Sequence, residues 1–469
     1  MPGSRYSAKK CNEMKDVDCV RQESFRGSPK EFSDWRKSTE VLQRIPAYHP
    51  VRVCALFGAL RVIGGITDGI ALIHGPAGCA FFQKFQISSC FGHDLRTPCT
   101  SMSDSDAVYG GEDTLRQSLL EADHRYNPKL IAVLNTCTPQ IIGDDVDAVV
   151  DSVRPQLGCK HIFTVPADGL QFYTQSYGYN EALLALIENV FQHPKERTEK
   201  SVNFFGEIIP GMSALGMDKY ILRDLLKRIG IRVQSIVTAG SSVAQLEQAP
   251  RAQVNVPRCG LMLSYASHSM EKRFGIPTLD TIMPYGIRNT SRWLIKIAEY
   301  FDLTERAESV IQEETGKLTP LFEKARDLLQ GKVVAVNGGP GRAPAFLHMA
   351  DELGCTVVLF NMFFGNDAVF TQIERILSEI QSSPCIMVDV SMEEVRATAE
   401  EMGVEIWFGD ALDFPNTYTR MALPSFETLI YQKSFEGFEG CKNLLKHIIH
   451  RTVMPTTPVQ PCTPQRCVQ

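Results

Sequence analysis

The run Leu130-Ile131-Ala132-Val133-Leu134 limits the fold more than any other stretch of this chain. It has no polar alternation, so neither face of a strand built from it tolerates water. Such strands lie in sheets covered on both sides, the usual setting of parallel α/β structure. From about residue 51 onward, strand-like runs alternate with helix-like segments, as they do where crossover helices join parallel strands. Residues 202–209 read as a strand, 218–228 as an amphipathic helix with Ile221, Leu225 and Leu226 on one face, and 231–237 as the next strand. Residues 333–336 read as a strand, Asn337 to Arg342 as a turn, and a helix follows to Leu353. Further strands are expected at 356–360, 386–390 and 405–408. The simplest architecture is α/β, with three Rossmann-like domains and parallel sheets, over residues 51–200, 201–325 and 326–454, the last closed by a C-terminal helix. Residues 1–50 are polar and aperiodic and read as an N-terminal extension that wraps a partner or is poorly ordered. Residues 455–469 carry Pro455, Pro458, Pro461 and Pro464 and read as a disordered tail.

Composition removes several function classes. A net charge of -6 and a sequence pI of about 6.0 leave no basic surface for nucleic acid or an anionic membrane. Mean hydropathy is -0.10, and no apolar run reaches the roughly 18 residues of a membrane span. No apolar stretch follows Lys9 and Lys10, so no secretory signal and a cytoplasmic setting are expected. No Gly-rich loop of the Gly-x-x-x-x-Gly-Lys-Ser/Thr type occurs, so any ATP used belongs to a separate protein. His447 and His450 share a helix face without a third ligand in view and read as structural.

The 14 cysteines carry more information. The chain is too long to need a disulfide framework, and no Cys-x-x-Cys or zinc-finger spacing occurs. Two readings remain: buried thiols, or thiolate ligands that the fold brings together. Cys355 and Cys385 sit at strand-like runs and are expected in the core, while Cys462 and Cys467 lie in the tail. Three others have distinctive surroundings. Cys54 opens Cys54-Ala55-Leu56-Phe57-Gly58, and Cys79 closes His74-Gly75-Pro76-Ala77-Gly78. Cys137 follows the 130–134 strand through Asn135 and Thr136. That places it at the carboxyl end of a strand, where ligands sit in open α/β sheets. Small neighbours let backbone amides approach an anionic iron–sulfur cluster. Three thiolates leave a four-cysteine site incomplete, so the remaining ligands would come from another chain.

A fourth cysteine, Cys259, precedes a segment that ends in Gly275-Ile276-Pro277. With Cys54, Cys79 and Cys137 in their settings, this resembles the alpha-type subunits of the nitrogenase component 1 family. Ser101-Met102-Ser103-Asp104, Val108-Tyr109-Gly110-Gly111 and Ile142-Gly143-Asp144-Asp145 resemble further family segments and are assigned structural roles around the cluster. The resemblance implies that Cys54, Cys79 and Cys137 hold half of an inter-subunit iron–sulfur cluster, P-cluster-like or 4Fe-4S. It also implies that Cys259 holds a large iron–sulfur cofactor of the nitrogenase type, in a site between the domains. The expected partners are a homologous beta-type subunit in an α2β2 assembly, a homodimeric ATP-dependent iron protein and a small-molecule substrate. Gln175 and Tyr179 match a family segment that places a Gln by the organic acid of the cofactor and a His over its reactive face, with Tyr179 standing where the His does. They are equally readable as polar surface groups at a helix start. Gly338, Gly339 and Arg342 resemble a loop that lines the cofactor, and are equally readable as strand-to-helix punctuation.

The departures from the family narrow the function. Near the C-terminus the family uses a His on the far metal of the cofactor; here Glu427 falls about where it should be. The Lys that holds the organic acid has no evident counterpart near residues 411–414. A dinitrogen-reducing subunit is therefore not expected. The resemblance points first to a catalytic subunit of a nitrogenase-like reductase, specifically a methylthio-alkane reductase that cleaves carbon–sulfur bonds of volatile thioethers. The alternative is a scaffold subunit for nitrogenase cofactor biosynthesis. A third reading, a tetrapyrrole reductase subunit, is weakened by Cys259, which such relatives do not need.

Overall fold

The 130–134 run is the middle strand of a sheet and is buried on both faces. In the computed structural model, residues 24–37, 54–91, 95–170, 175–209, 218–262, 265–409, 419–422 and 434–453 are described. Their strands, in chain order, are β1 (Phe25–Gly27), β2 (Gly69–His74), β3 (Leu130–Asn135), β4 (His161–Pro166), β5 (Ser201–Glu207) and β6 (Arg232–Thr238). The second half adds β7 (Val254–Pro257), β8 (Val333–Gly338), β9 (Thr356–Met362), β10 (Cys385–Val388), β11 (Ile406–Gly409) and β12 (Thr419–Ala422). They form three sheets with orders β2-β3-β4, β6-β5-β7 and β1-β10-β9-β8-β11-β12. Every pairing is parallel except that of β1 with β10. The α/β class with parallel sheets expected from the sequence is the observed one.

The absence of alternation in β3 has a direct structural meaning. Leu130, Ala132 and Leu134 face the main core, which runs continuously beneath all three sheets. Ile131 and Val133 face a second, smaller core with Ile70, Leu72, Leu115, Leu119 and Val149. Both faces of the strand are dry, and the loops that follow β2, β3 and β4 emerge at the carboxyl edge of the sheet. No described helix is long and apolar enough to cross a membrane.

Part of the stretch read as an N-terminal extension belongs to the third sheet. β1 pairs with β10, and the Pro29–Lys37 helix folds back against it. Phe25 packs edge-on against Phe32 and at a tilt against Trp35, Phe32 stacks on Trp35, and Phe32 and Trp35 meet Phe370 edge-on. Aromatic side chains bury enough area to dock a short polar segment, and their spacing escapes a test for periodicity. The remainder of residues 1–50, and the tail 455–469, lie outside the described residues.

The helix Ala55–Ile63 positions the site. It is buried at every residue except Arg61, and it crosses the helix Gln175–Asn189 at two glycines. A Cβ on Gly58 would stand 2.0 Å from the Gln175 carbonyl oxygen, and one on Gly178 1.9 Å from the Ala55 carbonyl oxygen. Only glycine permits this approach. Gly178→Ala should therefore lower stability by about 1–3 kcal/mol through forced separation of the helices, read as a lowered denaturant midpoint. An unchanged midpoint would mean that the crossing is not as close as described.

Candidate functional site

Three helix starts converge at the carboxyl edge of the first sheet, and each carries a cysteine. Cys54 is the N-cap of the Ala55–Ile63 helix. Cys79 lies in the first turn of the Ala77–Phe91 helix, and Cys137 is the first residue of the Cys137–Ile142 helix. Free backbone N–H groups and the helix dipole favour negative sulfur at such positions. Gly169, in the loop after β4, sits between two of them. Its N–H donates to Cys137 Sγ at 3.2 Å, and a Cβ there would be 3.1 Å from Cys54 Cβ. Gln83 Nε2 lies 3.8 Å from Cys54 Sγ. Gly169 and Gln83 were not singled out from the sequence. The first is legible as the third strand-end loop of the sheet, the second as one helical turn beyond Cys79.

A polar lattice holds this edge. His74 is fully buried, with Nε2 3.2 Å from Asp144 Oδ2 and Nδ1 3.2 Å from Thr100 Oγ1. Burial, opposed by Asp144, keeps His74 below the usual histidine range, so its ring is neutral near pH 7. Asp144 accepts from the Gly111 N–H with both oxygens at 3.1 Å. The Thr136 hydroxyl donates to the His74 carbonyl at 2.7 Å. The loops before Cys79 and Cys137 are thus tied to each other and to the Gly110-Gly111 and Gly143-Asp144 segments. Cys99, bridged to Ile73, brings a further sulfur to the same turn, where it accepts from Ser101 N–H at 3.2 Å and contacts the Gly75 carbonyl at 3.5 Å.

Burial pushes the Cys54 and Cys79 thiols up, and for Cys79 the neighbouring Cys54, Cys137 and Cys99 add to it. Among the described residues, no three His, Cys, Asp or Glu side chains converge on the position of one metal ion. The donor set fits a polynuclear cluster, whose several irons take separate thiolates, and not a mononuclear site.

Cys259 marks a second site, where the second and third sheets meet. It follows β7 and is 6% exposed. The loop after β8 lies against it: a Cβ on Gly341 would be 3.3 Å from Cys259 Cβ and 3.8 Å from its Sγ. Gly338 ends β8, Gly339 faces open space, and Arg342 caps the Ala343–Glu352 helix. The punctuation reading and the lining reading of this loop therefore coincide. Gln175 and Tyr179 are 3% and 4% exposed, so the surface-group reading of this pair is wrong. The helix start they occupy is covered by the Ala55–Ile63 helix. The Tyr179 hydroxyl donates to Gln175 Oε1 at 2.7 Å and accepts from Arg61 Nη1 at 2.6 Å. Arg61 was missed, although it is the single charge in an apolar run. Arg258, beside Cys259, is also buried; its Nη2 donates to Glu436 at 2.6 Å and its Nε pairs with Glu207. Burial pushes the Cys259 thiol up, against the N–H groups of Leu261 and Met262 and the charges of Arg258 and Arg61. Glu427 and residues 411–414 lie outside the described residues. Cys355 is buried and Cys385 half-buried, as core thiols.

Because their thiols are pushed up, Cys54 and Cys79 carry protons at neutral pH in the metal-free chain, and a metal must displace them. Iodoacetamide labelling of both, followed by peptide mass spectrometry, should be slow at pH 7 and accelerate as pH rises. Iron binding should strengthen in the same direction. Fast labelling at pH 7 would contradict the burial described.

Residues 54–452 match the family described as nitrogenase component 1 type oxidoreductase. The nitrogenase molybdenum-iron protein alpha chain of Methanothermobacter marburgensis is 30% identical over 431 residues, covering 86% of this chain and 87% of that protein. The nitrogenase iron-molybdenum cofactor biosynthesis protein NifE of Methanococcus maripaludis is 27% identical over 417 residues, covering 87% and 84%. The solved structure "Nitrogenase Cp1 at pH 5" superposes with a TM-score of 0.76 at 22% identity, over 89% of this chain and 92% of that one. The extent of these matches and the shared fold place the chain in the nitrogenase component 1 family, as an alpha-type member.

Proposed function

We propose that this chain is the catalytic subunit of a nitrogenase-like, ATP-dependent reductase that acts on small molecules such as volatile thioethers, cleaving their carbon–sulfur bonds. The observation that supports the reading is the setting of Cys259: a buried thiol with a glycine loop packed on one side, and the hydrogen-bonded Gln175–Tyr179–Arg61 chain as a further buried polar group. Cys259 would hold a large iron–sulfur cofactor, with Gly338, Gly339 and Arg342 lining it. Cys54, Cys79 and Cys137 would hold the inter-subunit cluster. Bound there, the two groups supply one-electron transfer and a place where electrons meet substrate. The chain's own residues keep Cys259 and Tyr179 buried, and hold the Tyr179 hydroxyl between Arg61 and Gln175.

The surface around the three cysteines supports the expected protein partners. Phe81 and Phe85 stack on the helix of Cys79 and are 69% and 55% exposed. Tyr109 is 87% and Ile141, one turn beyond Cys137, 69% exposed. Large apolar side chains concentrated beside an incomplete ligand set support protein partners at this face: a beta-type subunit that completes the cluster, in an α2β2 assembly, and a homodimeric iron protein that binds the ATP.

The scaffold reading is retained because similarity to NifE nearly equals that to the catalytic chain. The expected results separate the two. The chain co-purified anaerobically with its partner subunit, given iron protein, ATP and reductant, should release an alkane from dimethyl sulfide into the headspace. No alkane, with the bound cluster instead activating an apo-nitrogenase, would make it a scaffold.

A further inference from the structure

On the Ala77–Phe91 helix the ordinary burial pattern is inverted. Phe81 and Phe85 are 69% and 55% exposed, and Gln83 between them is 4% exposed. Gln83 stands one turn after Cys79, so the two side chains leave the same face of the helix. Ile87, a further turn on, is fully buried. Such a position suits leucine, which accepts burial without an amide to satisfy. A buried amide needs hydrogen bonds to offset the loss of water. The chain's own groups do not supply them in full: Gln83 Oε1 is buried and has no partner among the described residues. Its Nε2 lies 3.8 Å from Cys54 Sγ, within reach of an N–H···S hydrogen bond. The amide is committed to a sulfur.

The other donors at these sulfurs are main chain. Cys137 Sγ accepts from the Gly169 N–H at 3.2 Å, and the N–H groups of Leu56 and Phe57 act on the Cys54 sulfur. The fold fixes those donors. Gln83 is a side chain, so a substitution removes its donor and leaves the backbone in place. Hydrogen bonds to the sulfurs of an iron–sulfur cluster stabilise its reduced, more negative state and so raise its reduction potential. We propose that Gln83 is a positioning residue for the inter-subunit cluster: through Nε2 it holds the Cys54 sulfur, and it raises the potential at which the cluster accepts an electron. The inference rests on the cluster reading of Cys54, Cys79 and Cys137 above. The electron comes from the partner iron protein, and Gln83 keeps its protons throughout.

The test compares wild type, Gln83→Leu and Gln83→Asn in the anaerobically purified subunit complex. Iron content is measured, and the reduction potential is read from the cluster's electron paramagnetic resonance signal at a series of set potentials. Leucine keeps most of the volume and removes the donor. Asparagine keeps the amide but falls one methylene short of the sulfur. In both variants the potential should move to more negative values with iron content unchanged. A side chain that only filled space would leave the potential of Gln83→Leu where it was, and that result would overturn the proposal. Should a variant lose its iron, wild type labelled with nitrogen-15 in its glutamine side chains decides. Pulsed resonance should then show an amide nitrogen coupled to the paramagnetic cluster, and no coupling overturns the proposal. A wild type without any cluster signal sinks the cluster reading and the role of Gln83 with it. A cluster signal whose potential ignores Gln83→Leu sinks the role of Gln83 alone.

Discussion

The crossing of the Ala55–Ile63 and Gln175–Asn189 helices at Gly58 and Gly178 is the contact on which the rest of the site depends. It brings two backbones to a distance that no side chain survives. One helix then carries Cys54 at its start and Arg61 seven residues on, about 10 Å along the axis. The other starts with Gln175 and Tyr179 against that same stretch. The helix that starts at Cys54, on the cysteine edge of the first sheet, therefore also carries the Arg61 that holds Tyr179.

Electrostatics gives the two sites different characters. At the sheet edge the sulfurs sit on helix starts, partly exposed and surrounded by apolar side chains, an arrangement that a partner protein would complete. At Cys259 the sulfur is buried, and two arginines stand near it. One of them, Arg258, is held by Glu207 and Glu436, which ties the end of β7 to the start of the C-terminal helix Gly437–Val453. The other, Arg61, is held by a backbone carbonyl and a phenol. Both charges oppose the rise that burial imposes on the Cys259 thiol.

Much of this was legible in the sequence for a physical reason. Apolar runs without alternation demand covered sheets, and β3 shows both covers. Cys137 was placed correctly because a strand must end where its apolar run ends. What escaped notice depends on contacts between distant segments. Gly169 and Gln83 acquire meaning only when β4 and the Cys79 helix meet Cys54. Arg61 offered a local signal, one charge in an apolar helix, but its partner Tyr179 lies 118 positions on. The aromatic trio Phe25, Phe32 and Trp35 was hidden because it lacks periodicity, and it draws a supposed extension into the third sheet. That Gln175 and Tyr179 are not surface groups is visible only in their burial, which is a tertiary property.

The central claim is that two separate iron–sulfur sites are built on different cysteines of this chain. Iron content and the electron paramagnetic resonance spectrum of the anaerobically purified subunit complex test it most directly, compared among wild type, Cys259→Ala and Cys137→Ala. The account predicts that Cys259→Ala loses the iron and signals of one cofactor while those of the inter-subunit cluster persist, and that Cys137→Ala perturbs the cluster instead. Unchanged iron and an unchanged spectrum in Cys259→Ala would contradict it.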